Sequence, residues 1–294
     1  MTIQALQERF GVPGVTFKEG RGGLPLIAIE NAAAVAEIYL LGATLTHFQR
    51  RGHEPVIFVS SEALFQEGKA IRGGVPICWP WFGPKWDDPK AGQHGLVRNK
   101  PWQMTSAIVV DSKTTRLRLD SQAGGLSVGL EVEVGLNLKL SLQTKNGSDA
   151  PARIEDALHT YLCVGDSRQV SIDGLAGATY IDKVAGGERK QQPSEAIRFT
   201  GETDRVYLHS ESVCKLTDPV MRRCITVSKH GSRSTIIWNP WVDKSKSLVD
   251  FGDEEWQKMC CIETANAADN HLMLSPGQTH ATVAEIACDT VETA

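Results

Sequence analysis

Two ionisable residues in strand-like surroundings could exchange protons with a substrate near neutral pH. His159 lies in the segment ALHTYLCVGD, where strand alternation places it on the same face as Ala157 and Tyr161. An imidazole suits proton transfer at neutral pH, although a lone strand histidine is also commonly a packed core or surface residue. Glu263 lies in the apolar run KMCCIETAN. A buried acid there would have a raised pKa suited to a general base, whereas an exposed one would be an ordinary edge residue.

A second group of candidates lies in one long segment, residues 71–102, with the sequence IRGGVPICWPWFGPKWDDPKAGQHGLVRNKPW. Its prolines and glycines largely exclude regular structure, and long ordered loops are usually functional. Arg72 and Arg98 carry planar guanidinium forks that match phosphate or carboxylate, so both in one pocket would indicate an anionic ligand. Either arginine alone could serve only solubility. The segment, which also contains His94, therefore predicts the wall of a binding pocket.

Aromatic and acidic residues near these segments suggest a sugar. The clusters CWPWFGP and WNPW contribute Trp79, Trp81, Trp238 and Trp241. Tryptophan side chains most often pack in the core, but two proline-flanked clusters favour a stacking surface for a sugar ring. Asp204, in GETDRVYLH, could cap a turn or accept hydrogen bonds from sugar hydroxyls.

Composition and motifs exclude several classes of function. The 294-residue chain has a net charge of −4, which argues against a general nucleic-acid or membrane-surface binder but allows a local basic pocket. The nucleotide-binding patterns GxGxxG and GxxxxGK[ST] and the catalytic patterns HExxH and GxSxG do not occur. We therefore expect no cofactor. The expected partner is a small-molecule substrate, and no binding of nucleic acid is expected.

The cysteines concern metal binding, and the first residues of the chain concern its cellular location. The seven cysteines include no CxxC and no Cys/His spacing suited to zinc. We expect reduced, mostly buried thiols and no metal, with the adjacent Cys260 and Cys261 facing opposite sides of a strand. The start MTIQALQERFG does not resemble a signal peptide, and no apolar run approaches about 20 residues. These features predict a cytoplasmic protein with no membrane partner.

The elements that must position these residues are mostly strands. From Leu24 onward the apolar period is two, and its clearest run is LSVGLEVEVGLNLKLSL at 126–142. A three-residue turn at 135–137 that pairs Val134 with Leu138 would keep all even positions on one face. Helical period is confined to residues 3–10 and 244–257. We expect an all-β chain with few short helices, folded as one large antiparallel β-sandwich domain over residues 1–294.

Further strands are predicted along most of the chain, bounded by Gly, Pro or Asn. They comprise LPLIAIE, AEIYLLGATLTHFQ, PVIFVS, WQMTSAIVV and TRLRLD, followed by residues 152–163, 168–173, 205–209, 222–229, 233–238, 258–264 and 281–287.

Six blocks of this sequence, in order, resemble one known family. RGGVPICWPWFGP, QHGLVRNKPW, ALHTYLCVGD, GETDRVYL, WNPWVDKSKSLVDFGDEEW and CIETAN are similar to the D-hexose-6-phosphate mutarotases (glucose-6-phosphate 1-epimerases) of the galactose-mutarotase-like superfamily. The resemblance runs from about residue 30 to 290. It implies a large β-sandwich whose active site lies on a concave sheet face, and an enzyme, an isomerase, that interconverts the α and β anomers of a hexose 6-phosphate without a cofactor.

The resemblance also implies roles for individual residues. Glu263 matches the general base and His159 the general acid. His94 matches a second histidine that positions the sugar, and Asp204 a residue that binds ring hydroxyls. The basic residues expected at the phosphate match Arg72 and Arg98. Trp241 is expected among the substrate-binding residues, as part of the WNPW stacking surface.

Two alternatives stay open at this point. An aldose 1-epimerase of free hexoses would use the same chemistry but would give two pocket arginines no anion to bind. A non-catalytic carbohydrate-binding protein would have stacking tryptophans without a paired acid and base. The preferred hexose 6-phosphate is not determined by the sequence, and a monomer is expected because no amphipathic interface element stands out.

Overall fold

The computed structural model describes residues 1–291, and most of this part of the chain is strand or loop. Its α-helices are α1 (Ile3–Phe10) and α2 (Trp241–Ser247), with short 3-10 turns at Arg21–Gly23, Glu255–Lys258 and Ala268–Asn270. Neither α-helix is long enough or apolar enough to cross a bilayer. Its strands are β1 (Val15–Glu19), β2 (Pro25–Glu30), β3 (Ala34–Tyr39), β4 (Thr44–Arg50), β5 (Ile77–Cys78), β6 (Gln103–Asp111), β7 (Thr114–Ala123), β8 (Leu126–Val134), β9 (Leu138–Asn146), β10 (Ala152–Ile154), β11 (Asp156–Leu158), β12 (Tyr161–Cys163), β13 (Ser171–Asp173), β14 (Thr179–Asp182), β15 (Glu188–Gln191), β16 (Thr203–Tyr207), β17 (Cys214–Asp218), β18 (Arg223–His230), β19 (Ser234–Asn239), β20 (Met259–Asn266), β21 (Leu272–Leu274) and β22 (Thr279–Thr290).

Two eight-stranded antiparallel sheets pack against each other across the main hydrophobic core. The first, here called the site sheet, has the order β15-β14-β16-β19-β20-β11-β5, and β12 also pairs with β20. The second, the backing sheet, has the order β13-β17-β18-β22-β9-β8-β7-β6. Apolar side chains from both sheets, such as Leu140 and Ile262, share one buried cluster. This arrangement confirms the predicted all-β antiparallel sandwich.

The alternating run at 126–142 forms the hairpin of β8 and β9 in the backing sheet. Val134 pairs with Leu138 across the turn, as the pattern predicted. Leu130, Val132 and Leu140 are fully buried, because the even positions of the two strands face the core of the sandwich, whereas Leu136 in the turn is 53% exposed. The prediction is confirmed, and the two strands form a support for the site rather than part of it.

Several boundaries differ from the predictions. The helical period at 244–257 was only partly right, because α2 begins earlier, at Trp241, and ends at Ser247. Beyond it the chain turns so that Phe251 and Trp256 can bury their rings in one cluster with Tyr161, and that tertiary packing outweighs helical propensity. The predicted strand PVIFVS was wrong, since residues 55–60 make only isolated bridges.

Short and irregular strands account for the other differences. The predicted strand at 152–163 is broken into β10, β11 and β12, and β1, β14, β15, β17 and β21 had no clear signal in the sequence. Strands of three to five residues contain too few alternations to be distinguished from loop by periodicity. The segment 71–102 contains only the two-residue strand β5, which confirms the predicted long loop.

The adjacent cysteines of β20 face opposite sides of the site sheet, as predicted. Cys260 packs in the core between the sheets, whereas Cys261 packs with Tyr161 and Phe251 on the other face. All seven cysteines are free thiols. Because residues of a strand alternate between faces, Glu263 lies on the same side as Cys261.

Candidate active site

Strand register brings His159 and Glu263 together from distant parts of the chain. β11 pairs Leu158 with Thr264 on β20, and β12 resumes pairing with β20 in the same register. Continued across the gap between β11 and β12, this register sets His159 directly opposite Glu263. Directly opposed residues of an antiparallel pair project to the same face, with their Cβ atoms about 5 Å apart.

The resulting pair is close and largely shielded from water. His159 Nδ1 lies 3.4 Å from Glu263 Oε1, with side chains 12% and 1% exposed. Burial, with added repulsion from Arg98 and Arg72, lowers the pKa of His159 to about 3. Burial raises the pKa of Glu263 well above its usual range. The pair therefore resembles a proton-sharing acid and base rather than a surface ion pair.

Arg72 lies at one end of the pair and is held in place by two neighbours. Its Nε donates to Asp250 Oδ1 at 3.1 Å, and its Nη1 donates to the Tyr161 hydroxyl at 3.4 Å. Burial works to lower the pKa of Arg72, but Tyr161 and Asp250 outweigh it, so the pKa is raised. The guanidinium is thus a fixed positive charge at the site.

Arg98 lines the same cavity as Arg72. This cavity of about 200 Å³ is also lined by His159, Tyr161 and Asp250. One Arg98 nitrogen, Nη2, donates to the carbonyl of Gln93 at 3.1 Å. Two guanidinium groups therefore line one small cavity together with the imidazole of His159.

The other end of the pair carries a different set of charges. Lys183 Nζ lies 3.7 Å from Asp204 Oδ1 and 4.7 Å from the centre of the Phe82 ring. Burial raises the pKa of the Glu263 carboxyl, Lys183 opposes that shift and Asp204 adds to it, and Lys183 also helps to lower the pKa of His159. Burial raises the pKa of Asp204, and Lys183 opposes that shift.

His94 adjoins His159 on the side of the long loop. The two ring centres are 5.8 Å apart. The Gly83 backbone N–H donates to His94 Nδ1 at 3.3 Å, and burial lowers the pKa of His94 well below its usual range. The ring is therefore neutral, with its proton on Nε2, which makes that nitrogen a hydrogen-bond donor.

The four tryptophans of the two proline-flanked clusters have different surroundings. Trp79 and Trp81 are 0% and 4% exposed, so the stacking role considered for them was wrong and core packing is their role. Trp241 packs its ring on Trp256, with centres 4.3 Å apart. Trp238 instead meets the edge of His159 at 6.0 Å. Trp238 is therefore the member of these clusters that the structure places against the acid–base pair.

Three residues of the site were not named as site residues from the sequence. Tyr161 stacks on His159 with ring centres 4.8 Å apart, Asp250 holds Arg72, and Lys183 pairs with Asp204. Tyr161 could have been found, because alternation puts it on the His159 face. Asp250 and Lys183 lie in turns, where pattern says little about which side chains converge.

Gly95 allows the loop to pass close to Trp79 and so positions the neighbouring His94. Gly95 has a φ of +80°, and a Cβ there would overlap the Trp79 carbonyl oxygen. We expect Gly95→Ala to lower the free energy of unfolding by about 1–3 kcal/mol because of this strain. Urea denaturation measures it, with Gly92→Ala as the control, since a Cβ at Gly92 has nothing within 4 Å. Equal stabilities of the two variants would contradict the prediction.

Comparison with known proteins identifies the family of this chain. The aldose 1-epimerase family model matches residues 25–287. A Cenchrus ciliaris protein provisionally named glucose-6-phosphate 1-epimerase is 32% identical over 274 residues, covering 87% of this chain and 82% of its own length. A protein of Escherichia coli K12 with the same provisional name is 30% identical over 265 residues, covering 87% of this chain and 88% of its own.

A solved structure is similar over almost the whole fold. The crystal structure of a provisionally named mutarotase from Salmonella typhimurium superposes with a TM-score of 0.88 at 28% identity, covering 95% of each chain. These matches confirm the resemblance to the mutarotases that the six sequence blocks indicated. The chain belongs to the aldose 1-epimerase family.

Proposed function

We propose that this chain is a hexose-6-phosphate 1-epimerase, with Glu263 as general base and His159 as general acid. The observation that carries the proposal is the order of chemical groups across the site. Arg72 and Arg98 share a cavity with His159. Glu263 lies 3.4 Å from His159 and is not among the residues that line this cavity.

This order corresponds to the covalent order of the substrate. In a hexose 6-phosphate in its ring form, the phosphate is joined through C6 and C5 to the ring oxygen O5, and O5 is joined to C1 and its hydroxyl O1. A phosphate between Arg72 and Arg98 would bring O5 toward His159 and O1 toward Glu263. Guanidinium groups bind phosphate bidentately. Binding energy at the phosphate would therefore hold C1 in position beside Glu263 and His159.

The proton transfers then balance without any other group. The Glu263 carboxylate takes the O1 proton while the His159 imidazolium gives a proton to O5, so the C1–O5 bond breaks and C1–O1 becomes a carbonyl. Rotation about C1–C2 presents the other face of the aldehyde. The reverse transfers close the ring as the other anomer. Each member of the pair is expected to contribute about 10²–10⁴-fold.

The buried pair can reach this active state without taking up a proton from solvent. Burial favours the form in which Glu263 is protonated and His159 is neutral. A bound phosphate dianion offsets the charges of Arg72 and Arg98, which otherwise disfavour an imidazolium. One proton moving from Glu263 to His159 then gives the carboxylate and the imidazolium that ring opening needs.

Other predicted site residues fit supporting roles. His94 would donate from Nε2 to a sugar hydroxyl, and Asp204 would accept hydrogen bonds from ring hydroxyls with Lys183 beside it. Trp241 is retained as an expected substrate-binding residue, although its ring packs on Trp256, and Trp238 is the better placed stacking surface. A phosphorylated sugar does not cross membranes freely, so this substrate fits the expected cytoplasmic location.

Arg72→Ala tests the phosphate assignment. We expect KM for glucose 6-phosphate to rise about 10- to 100-fold, because one charge-assisted contact is lost. KM for free glucose should change less than about twofold. The rates are measured by NMR magnetisation transfer between anomers, with spontaneous exchange in buffer subtracted. Arg51→Ala is the control, because Arg51 pairs with Glu30 at an exposed site.

The same measurements separate the alternatives. Equal effects of Arg72→Ala on both substrates would remove the phosphate assignment and favour a free-hexose epimerase. An exchange rate no faster than buffer for every sugar and sugar phosphate tried would favour a non-catalytic carbohydrate-binding protein. Arg51→Ala should match the wild type in either case.

A further inference from the structure

A third side chain lies beside the acid–base pair, on the same face of the site sheet. The ligand atoms of His159, Cys261 and Glu263 all lie within 4.8 Å of one another. Cys261 and Glu263 are two residues apart on β20, and His159 comes from the neighbouring strand segment. The sequence spacing did not suggest a metal site, because register across two strands, rather than a local motif, assembles the three groups.

Two atoms of this group are buried without a hydrogen-bond partner. They are Nδ1 of His159 and Oε2 of Glu263, and the Glu263 side chain is 1% exposed. An unpaired buried acceptor costs free energy. A cation bound between the two side chains would give the His159 nitrogen and the Glu263 carboxyl group a partner.

The separation of the nitrogen and oxygen donors suits a tetrahedral ion. Bond lengths of about 2.0–2.1 Å to nitrogen and oxygen place two ligand atoms roughly 3.3 Å apart at a tetrahedral angle. The observed distance from His159 Nδ1 to Glu263 Oε1 is 3.4 Å. Imidazole, thiolate and carboxylate are the donors that zinc takes, whereas magnesium and calcium prefer oxygen alone.

We propose that His159, Cys261 and Glu263 form a three-ligand site for Zn²⁺ that competes with the epimerase reaction. The exchange balances in charge, because one Zn²⁺ displaces the thiol proton and the single proton of the acid–base pair. No net charge is then added to the buried site. The bound ion removes both the base and the acid from catalysis.

The ion can enter from the substrate side. His159 lines the cavity that Arg72 and Arg98 also line, and its side chain is 12% exposed. These arginines repel a free cation, so entry is slow compared with sugar binding. A bound phosphate sugar and the metal would compete for His159 and Glu263.

The experiment uses Zn²⁺ alone on the full chain, with binding measured separately from activity. Zinc affinity is read by competition with a chromophoric chelator. Co²⁺ is a second probe, since a cobalt–thiolate absorption band reports coordination by cysteine. Cys261→Ala is compared with Cys260→Ala, a truncation of the adjacent buried thiol on the core side of β20.

We expect wild type and Cys260→Ala to bind one Zn²⁺ at this site and to show the cobalt–thiolate band. Cys261→Ala should bind at least about tenfold more weakly and lose the band, because a metal ligand is removed. Thermal unfolding verifies that both variants are folded. Equal affinity of the two variants, or no band in the wild type, would overturn the proposal.

The activity arm rests on the proposed function, but the binding arm does not. Anomer exchange by the wild type should fall with added Zn²⁺ and return on addition of a chelator, and glucose 6-phosphate should protect. Zinc binding at Cys261 in a chain without epimerase activity would reject the proposed function and keep the metal site. Full activity with Zn²⁺ bound would reject the competition.

Discussion

Glu263→Gln is expected to lower kcat for anomer exchange by about 10²–10⁴-fold, the contribution of one general base. Glutamine preserves the shape of the side chain but cannot take the O1 proton. Binding of glucose 6-phosphate should change little, since the proposed phosphate contacts lie at Arg72 and Arg98. The loss should therefore appear in kcat rather than in KM.

Stability is the control that makes this result interpretable. Glu263 is buried, with one oxygen unpaired, and burial raises its pKa, so a neutral amide is expected to be tolerated in the fold. Thermal unfolding of Glu263→Gln should fall close to the wild type. Glu263→Asp should retain intermediate activity, because its carboxylate is present but one methylene farther from O1. A Glu263→Gln rate within about twofold of the wild type would show that this carboxyl is not the base.

His159→Asn is expected to lower kcat by about 10²–10³-fold, because asparagine can donate a hydrogen bond to O5 but cannot deliver its proton. The stacked Tyr161 ring, 4.8 Å from His159, remains to support the replacement. The measurement is magnetisation transfer at saturating glucose 6-phosphate. The kcat for free glucose should fall by a similar factor, since O5 is common to both sugars.

The double variant tests whether the two residues act as one unit. If Glu263 and His159 exchange protons with the same substrate in one step, removing both should cost little more than removing the more important one. Combined losses that multiply would instead indicate independent roles. Unchanged activity in His159→Asn alone would assign the general acid elsewhere, and His94, with its ring 5.8 Å away, would be the next candidate.

The fold class followed from local features of the sequence. Strict alternation at 126–142 specified not only a hairpin but its register, because a shift by one residue would expose every leucine and valine of the apolar face. The density of Pro and Gly at 71–102 likewise excluded regular structure without any tertiary information. The helix expected at 244–257 was predicted with the wrong bounds, because burial of Phe251 and Trp256 decided where α2 ends.

The candidate catalytic and binding residues could be named from their sequence surroundings and from the family resemblance. Their positions relative to one another could not be predicted. Alternation placed His159 on a face with Tyr161, and an acid in an apolar strand drew attention to Glu263. Which residues oppose each other depends on strand register between segments about 100 residues apart, and a sequence pattern contains no information on that pairing. That register also placed Cys261 beside the pair, whereas Lys183 comes from the turn after β14.

The sequence by itself thus determined which residue types are available and which of them share a face of a strand. Both follow from the chemistry of each side chain and from the two-residue period of a strand. Distances, burial and the shifted pKa values of the pair were decided only by tertiary structure. A carboxyl group acquires a raised pKa when neighbouring strands and the loops packed over them exclude water from it, and no single stretch of the chain can do that.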